Sequence, residues 1–152
     1  MAKSSLQPDL VLVPQVAALP VRFDADGTAE ILMITSRGTG RWIIPKGWPM
    51  RGCKMHEAAA REALEEAGIT GKIGKKPIGR YTYKKQFKDR SDQCEVIVYP
   101  LKFERQLQAW REKGQRRVGW FSIPEAAARV QETGLREIIL SLRPTLQEPA
   151  IA

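Results

Sequence analysis

Residues 54–67 form the feature that most restricts how this chain can fold. The run is rich in alanine and glutamate and contains neither glycine nor proline, a composition that favours an uninterrupted helix. Gly68 follows directly, and a glycine at that point is typical of a helix end because it adopts the left-handed backbone conformation without strain. We therefore predict one well-defined helix in the middle of the chain.

Strand-like segments lie on both sides of this helix. Short runs of β-branched and aromatic residues bounded by turn residues indicate strands, and we predict them at 15–23, 30–35, 42–44, 78–84, 95–103 and 118–121. Ser122, followed by Pro124 and Glu125, has the pattern of a helix N-terminus, and a last helix is predicted at about 135–142. This order of elements predicts an α/β (α+β) fold, with a mixed β-sheet sandwiched between helices.

Length and composition indicate one globular domain. The chain has 152 residues, of which 43% are hydrophobic and 28% charged, and this excludes a disordered or collagen-like chain. Cys53, Cys94 and the single His56 argue against a structural zinc site or a disulfide scaffold. No apolar run approaches the roughly 18 residues that a membrane helix needs. We expect a cytoplasmic protein with a domain at 13–146 and tails at 1–12 and 147–152.

The basic charge points to an anionic partner. Lysines and arginines number 25 against 17 acidic residues, a net charge of +8. The cations concentrate between Lys72 and Arg90 and again between Arg111 and Arg117. A surface of this sign attracts polyanions. Nucleic acid and a small, highly phosphorylated metabolite both fit, and so does a charge that serves only solubility.

Three glutamates share one side of the predicted central helix. At about 100° per residue, Glu62, Glu65 and Glu66 fall within an arc of roughly 100°. Like charges at this spacing repel by a few tenths of a kcal/mol per pair, about 0.2–0.5. Arg61, which is i,i+4 from Glu65, offsets part of that repulsion, and a hard divalent cation would offset more. A solvated glutamate face with no further role is the alternative interpretation.

A loop with glycine and basic residues precedes this helix. It runs over 45–52 and contains Gly47 and Gly52, which allow backbone groups to approach a ligand closely. Arg41, Lys46 and Arg51 lie in or beside it and can neutralise phosphate oxygens. A divalent metal beside such a loop is suited to hydrolysis of a phosphoanhydride, because the metal activates water and cations stabilise the departing phosphate.

The loop and helix together resemble the Nudix box, whose pattern is G-x5-E-x7-R-E-U-x-E-E-x-G-U. Gly47 and the run Arg61-Glu62-Ala63-Leu64-Glu65-Glu66-Ala67-Gly68-Ile69 match it in register. One fixed position departs from it, since Cys53 stands where the pattern has its first glutamate. The resemblance implies a Nudix fold and hydrolysis of an acid anhydride.

The resemblance also implies roles for particular residues. Glu62, Glu65 and Glu66 would bind Mg²⁺ or Mn²⁺, with the backbone carbonyl of Lys46 or Gly47 as an additional ligand. Arg61 would hold a glutamate in place through an ion pair, and Glu62 or Glu66 would act as the general base. A thiol is a poor ligand for Mg²⁺, so Cys53 is not expected to replace the missing glutamate, and the number of metal ions is left open.

A wider resemblance suggests a substrate class. Residues 41–48, with the sequence RWIIPKGW, and residues 110–126 are similar to the corresponding parts of diphosphoinositol polyphosphate phosphohydrolases. Relatives of this kind cleave diphosphoinositol polyphosphates and diadenosine polyphosphates, so a small phosphorylated metabolite is the expected partner and nucleic acid is not. The expected substrate-binding residues are Arg22, Arg37, Arg41, Lys46, Gly47, Lys85, Arg116 and Arg117. The alternatives are a Nudix hydrolase of nucleoside triphosphates or nucleotide sugars, and a weakly catalytic Nudix-like domain that binds polyanions.

Overall fold

Strands from both halves of the chain join in a single mixed sheet in the computed structural model, which describes residues 12–142. The strands are β1 (Leu12–Phe23), β2 (Ala29–Thr35), β3 (Trp42–Ile43), β4 (Lys46–Gly47), β5 (Ile69–Ile73), β6 (Gly79–Gln86), β7 (Ser91–Gln106) and β8 (Val118–Ser122). The helices are α1 (Met55–Ala67), α2 (Ile123–Arg129) and α3 (Thr133–Ser141). Strand β7 pairs with β1 in parallel and with β5 and β6 in antiparallel orientation.

Strands β1 and β2 diverge, and the segment that enters the central helix fills the gap between them. They pair only from Val21 to Phe23 on the β1 side. Beyond this point β3 pairs with β2, and β4 pairs with Val16 and Ala17 of β1. Ala18 also donates its N–H to the Pro45 carbonyl at 3.0 Å. The insertion fixes the backbone at residues 46–47, directly before the loop that leads into α1.

Helix α1 begins and ends where the sequence predicts. The Lys54 N–H is bonded to the Glu57 carboxylate at 3.0 Å, and Gly68 ends the helix with φ of 71°, a conformation that glycine adopts without strain. A Cβ atom at Gly68 would overlap the Trp110 ring. The glycine is therefore required both by its backbone conformation and by the indole packed against it.

Helices cover both faces of the sheet. On one face the buried alanines of α1 pack against alternate residues of β1, β2 and β7, including Val16, Leu32 and Ile97. On the other face α2 and α3 cover the intervening residues, including Leu19, Met33 and Val98. This alternation is the ordinary result of strand geometry, and it confirms the predicted mixed sheet between helices.

Two strands were not predicted from the sequence. Strand β5 contains Gly71 and Lys72, which lower β-propensity, but it pairs with β7 and has a bulge between Thr70 and Gly71. A Cβ atom at Gly71 would collide with the Lys102 carbonyl, so the close approach of the two strands requires glycine. Strand β4 was predicted as loop because its two residues form a strand only by pairing with β1.

The predicted ends of the domain fall largely outside the described residues. Leu12, assigned to the N-terminal tail, is the first residue of β1. The rest of that tail, the domain end at 146 and the tail at 147–152 lie outside residues 12–142. Within these residues no helix is long and apolar enough to span a membrane.

Candidate active site

A polar cavity of about 400 Å³ opens between α1, β4 and the segment that precedes β8. Its charged walls carry both signs, with four cations facing three carboxylates. The cations are Arg37, Lys46, Lys85 and Arg116, and the carboxylates are Glu62, Glu66 and Glu112. The cavity is therefore rich in charge of both signs, and its cations suit an anionic ligand.

Glu62 and Glu66 lie one helical turn apart on the side of α1 that faces β4. Both are buried, with 9% and 6% of their surface exposed. The backbone N–H of Lys46 is bonded to Glu66 Oε1 at 3.1 Å. A Cβ atom at Gly47 would overlap the Glu62 carboxylate. Glycine at this position therefore allows the carboxylate to lie directly against the backbone of β4.

Burial alters the titration of this pair. It raises the pKa of Glu66 to about 8, against the opposing effect of Arg116, and the neighbouring Glu62 adds to the increase. Burial also raises the pKa of Glu62. Two carboxylates this close cannot both ionise without compensation, so the pair retains a proton near neutral pH unless a cation binds.

Arg116 is the buried cation beside this pair. Its side chain is 9% exposed, and its Nη2 lies 3.7 Å from Glu66 Oε2. The same guanidinium donates from Nε to Glu112 at 2.8 Å and from Nη1 to the Thr35 carbonyl at 3.0 Å. With partners on three sides, Arg116 holds a fixed positive charge at the inner wall of the cavity.

Backbone hydrogen bonds to the C-terminal end of α1 hold the segment that carries Arg116. Leu107 donates its N–H to the Gly68 carbonyl at 2.8 Å, and Glu112 donates its N–H to the Glu65 carbonyl at 3.0 Å. Glu65 lies in the last turn of the helix and Gly68 directly follows that turn, and neither carbonyl has a partner within the helix. The exposed helix end thus orders the segment that carries Glu112 and Arg116.

Lys46 faces a buried polar chain at the other wall. Its Nζ donates to the Tyr83 hydroxyl at 3.2 Å, and that hydroxyl donates to Gln15 Oε1 at 2.8 Å. Burial, with Lys85 nearby, lowers the pKa of Lys46, and burial raises that of Tyr83. The lysine side chain is therefore oriented before a ligand arrives.

The structure brings most, but not all, of the predicted substrate contacts together. Arg41 borders a neighbouring cavity. Arg22 and Arg117 line neither cavity. Arg22 pairs with Glu30 at 2.8 Å and lies over the Trp120 ring, while Arg117 lies over Trp42. Arg116 lies in a bend before β8 and points into the site, whereas Arg117 points to Trp42.

The expected three-carboxylate cluster is not formed. Glu65 Oε1 lies 3.7 Å from Arg111 Nη1, and Glu65 does not line the cavity. Among residues 12–142 no three His, Cys, Asp or Glu side chains are close enough to hold a metal ion. Glu65 lies at one edge of the arc that the three glutamates share on the helix, and this edge lies outside the cavity.

The predicted ion pair of Arg61 with a glutamate is not formed either. Arg61 is exposed and has no ion-pair partner among the described residues. About 100° around the helix from Glu62, it points away from β4. The charge that compensates Glu66 comes from Arg116, which is distant in sequence and packed over the helix.

Cys53 lies at the edge of the apolar core, beside the Glu57 side chain. It is half-buried and packs against the core beneath α1 together with Met50 and Met55. It does not line the cavity. The residue at the position of the first box glutamate therefore serves packing in this structure.

Gln15, Ser36 and Glu112 line the cavity, and Tyr83 contacts Lys46 and Gln15. None of these polar residues was assigned to the site from the sequence. Gln15 is 3% exposed in a strand that otherwise buries apolar side chains. A polar residue inside an apolar strand run is the signal that identifies it. Glu112 has no comparable signal, because its pairing with Arg116 depends on where the segment lies over α1.

These features define a Nudix domain: a mixed sheet between helices, with the glutamates of a box helix facing a basic cavity. The sequence model of the NUDIX domain family matches residues 13–142. The chain therefore belongs to the Nudix family. The match includes both the box and the segment that carries Arg116.

Individual relatives agree with this assignment. The chain is 32% identical over 127 residues to "Nudix hydrolase 21, chloroplastic" of Arabidopsis thaliana, covering 82% of this chain and 63% of that protein. It is 32% identical over 108 residues to "Diphosphoinositol polyphosphate phosphohydrolase 3-beta" of Bos taurus, covering 68% and 62%. The chain thus spans less than two thirds of either relative. The plant protein is chloroplastic by name, and a cytoplasmic location for this chain stays a prediction.

A solved structure shows the same fold. The C. elegans Ap4A hydrolase, in a binary complex, superposes with a TM-score of 0.66 at 22% identity, covering 89% of this chain and 98% of that one. At this identity the likeness concerns architecture. It supports the overall fold.

Proposed function

We propose that this protein is a hydrolase of acid anhydrides that cleaves a phosphoanhydride bond with the help of Mg²⁺ or Mn²⁺. The observation that carries the proposal is the buried pair Glu62–Glu66, held against the Gly47 backbone in a cavity that also presents four cations. Buried carboxylates are rarely retained without a partner. Family membership supports the same reaction type.

The donor set fits a hard divalent cation. Glu62 and Glu66 supply carboxylate oxygens, the ligands that Mg²⁺ prefers, and Mg²⁺ usually keeps several of its own waters. Two carboxylates, with the Lys46 or Gly47 carbonyl as a further oxygen, are therefore enough. When bound, the ion polarises a phosphoryl oxygen and lowers the pKa of water.

The remaining chemistry belongs to the side chains. Arg37, Lys46 and Lys85 bind the phosphate oxygens and orient the anhydride. The oxygen of a water molecule attacks phosphorus, its proton passes to a carboxylate oxygen of Glu62 or Glu66, and the bridging P–O bond breaks. The negative charge that develops on the departing phosphate is stabilised by these fixed cations, which need no reorganisation during the reaction.

Phosphate-rich substrates suit the walls of the cavity. We propose diphosphoinositol polyphosphates or diadenosine polyphosphates, in agreement with the names of the bovine relative and of the C. elegans hydrolase. A nucleoside triphosphate gains from fewer phosphate contacts, and each charge-assisted contact contributes about 1.5–3 kcal/mol. Trp48, which is 44% exposed at the rim, is available to stack on a nucleobase.

A substrate panel tests this proposal. Phosphate release would be measured with Mg²⁺ and with Mn²⁺ on diphosphoinositol polyphosphate, diadenosine polyphosphates, nucleoside triphosphates and nucleotide sugars, at two salt concentrations. We expect the highest kcat/KM for one of the first two, with KM rising with salt. A nucleoside triphosphate or nucleotide sugar that is better by tenfold contradicts the substrate class. Binding of polyanions without any turnover contradicts the enzymatic role.

A further inference from the structure

Strand β8 forms one edge of the sheet. It pairs along its whole length with β2, and it pairs with no other strand of residues 12–142. The Thr35 N–H donates to the Arg117 carbonyl at 3.0 Å. Since bonded pairs alternate along an antiparallel ladder, Val118, Trp120 and Ser122 direct their backbone groups away from β2. The outer side of β8 therefore offers backbone donors and acceptors to a further strand.

This edge lacks the features that usually prevent such pairing. Natural edge strands are protected by lysines, prolines or bulges. The sequence of β8 is VGWFS, which contains no charged residue and no proline, and its pairing with β2 is regular throughout. The Val118 side chain at its start is 38% exposed. A regular, apolar edge of this kind is suited to the addition of a strand.

Opposite charges flank the two ends of β8. Arg117 directly precedes the strand, and Glu125 lies in the first turn of α2, directly after it. Both are exposed, and neither forms an ion pair with another residue of the range 12–142. Arg117 lies over the Trp42 ring, and Trp42 and α2 belong to the same face of the sheet. The two unpaired charges therefore lie on one face, at opposite ends of the edge.

Antiparallel pairing of β8 with itself satisfies both the backbone groups and these charges. When one copy is turned by 180° about an axis through Trp120 and perpendicular to the sheet, Val118 lies opposite Ser122 of the second copy. The outward N–H groups of Val118 and Trp120 then donate to carbonyls of the second copy, while the Ser122 N–H keeps its bond to the Glu125 carboxylate. Each Arg117 lies beside the Glu125 of the second copy. The edge is thus complementary to itself, as a twofold interface requires.

We propose that two copies of this chain pair through β8 and form a dimer with one continuous sheet. No residue of β8 lines the cavity that holds Glu62 and Glu66, so dimer formation is independent of the proposed hydrolase function. Hydrolysis by a chain that stays monomeric supports the hydrolase and contradicts the dimer. A dimer without hydrolysis of any anhydride does the reverse.

Sedimentation equilibrium of the full wild-type chain tests the pairing. The protein concentration would run from about 1 μM to about 1 mM, a range of Kd that includes weak interfaces. We expect a reversible equilibrium between monomer and dimer with no larger species, because a twofold interface closes on itself. A chain that stays monomeric over this range overturns the proposal without the need for any variant, and so does the growth of open assemblies.

A matched pair of variants assigns the dimer to this edge. Val118→Lys should raise the Kd of the dimer at least about tenfold, because a lysine on an edge strand opposes pairing. Leu140→Lys is the control, since Leu140 is also exposed, at 44%, but lies on α3, which packs against β6 at the opposite edge of the sheet. The control should keep the wild-type Kd. An unchanged Kd in Val118→Lys, or an equal increase in both variants, overturns the proposal.

Cysteine pairs test the register of the two strands. Val118→Cys and Ser122→Cys would be introduced separately into a Cys53→Ala chain, in which the remaining Cys94 is buried. Directly opposite residues of a bonded pair lie about 5.5 Å apart, a distance that a disulfide spans. Mild oxidation of a mixture of the two variants should therefore give a linked dimer.

Each cysteine variant alone is the control for this register. Residues 118 of the two copies lie about 13 Å apart in the proposed pairing, too far for a disulfide, and the same holds for residues 122. Either variant alone should therefore give little linked dimer. Equal linkage in the mixture and in the separate variants, or none in the mixture, overturns the proposed pairing.

Discussion

Glu66 is buried and Glu132 is partly buried, and each carboxylate lies beside an arginine, but their surroundings differ. Their side chains are 8% and 11% exposed. Glu66 faces the Lys46 N–H, the Arg116 guanidinium and the Glu62 carboxylate. Glu132 faces Arg41 through one oxygen, and its other oxygen has no partner among residues 12–142.

The arginines differ as well. The Arg116 side chain is 9% exposed and bonded on three sides, whereas that of Arg41 is 40% exposed and reaches in from the surface. The two carboxylates thus have different surroundings. Beside Arg116, Glu66 lies against a second carboxylate, and this is the pair that we propose binds a divalent cation. Beside Arg41, Glu132 has no second carboxylate against it, and its charge is compensated by a partly exposed arginine.

The largest expected effect is loss of activity when Glu62 or Glu66 is replaced by a neutral residue. Glu62→Gln or Glu66→Gln should lower kcat at least 100-fold, about 2.7 kcal/mol, because a ligand of the metal and a proton acceptor are lost together. The melting temperature should stay level or rise, since repulsion between the carboxylates is relieved. Steady-state kinetics and thermal unfolding measure both.

Glu65→Gln is the matched control for this prediction. Glu65 belongs to the same box but pairs with Arg111 outside the cavity, so its loss should cost less than tenfold. A Glu65 effect as large as that of Glu66 would restore the three-carboxylate metal site implied by the sequence.

The second largest effect is expected in the free energy of unfolding when Arg116 or Arg41 is replaced. Arg116→Met should lower the free energy of unfolding by about 3 kcal/mol, because it leaves Glu112 and the Thr35 carbonyl without their buried partner. Arg41→Met should cost less, about 1 kcal/mol, because the Arg41 side chain is 40% exposed and its pairing with Glu132 is screened by solvent on the arginine side. Urea denaturation of both variants gives the comparison, and equal losses would show that the two pairs are alike.

A smaller effect is expected in the pH dependence of stability. The pKa of Glu66 is raised to about 8 in the folded chain and is close to 4.3 in an unfolded one. The folded state therefore binds more protons between these values. Its stability is full below about pH 4 and decreases as the pH rises to about 8, by at most about 1.4 kcal/mol per pH unit.

Metal-free protein in a chelator should show this decrease in denaturant titrations at pH 5, 6, 7 and 8. Glu66→Gln should remove most of the dependence of stability on pH. Mg²⁺ should reduce this dependence in the wild-type protein, because the cation replaces the proton between Glu62 and Glu66. Glu65→Gln should keep the wild-type dependence. A metal-free wild-type protein that becomes more stable over this range would contradict the assignment of a proton-sharing pair.

The smallest effect is expected at Cys53. Cys53→Ala removes a half-buried thiol outside the cavity, so activity should change less than twofold and stability by less than about 1 kcal/mol. Thiol-blocking reagents should leave turnover largely intact. A loss comparable to that of Glu66→Gln would make Cys53 a working residue of the site.

Local sequence determined the parts of this protein that depend on near neighbours. The helix at Met55–Ala67, its end at Gly68 and the placement of Glu62 and Glu66 one turn apart follow from helix geometry and from the conformational freedom of glycine. Runs of β-branched and aromatic residues between turn residues predicted most strands, and the order of the elements predicted the mixed sheet. The Nudix assignment followed from the spacing of the box.

Tertiary structure decided which residues meet across long stretches of chain. Arg116 reaches Glu66, and Arg41 reaches Glu132, only because strands and helix ends bring distant segments together. No periodic pattern in the sequence predicts these contacts between distant residues. The same reason explains why Glu65 and Arg117 lie outside the cavity. Local backbone geometry fixes the directions of neighbouring side chains relative to each other, but the packing of the elements decides which of these side chains faces the site.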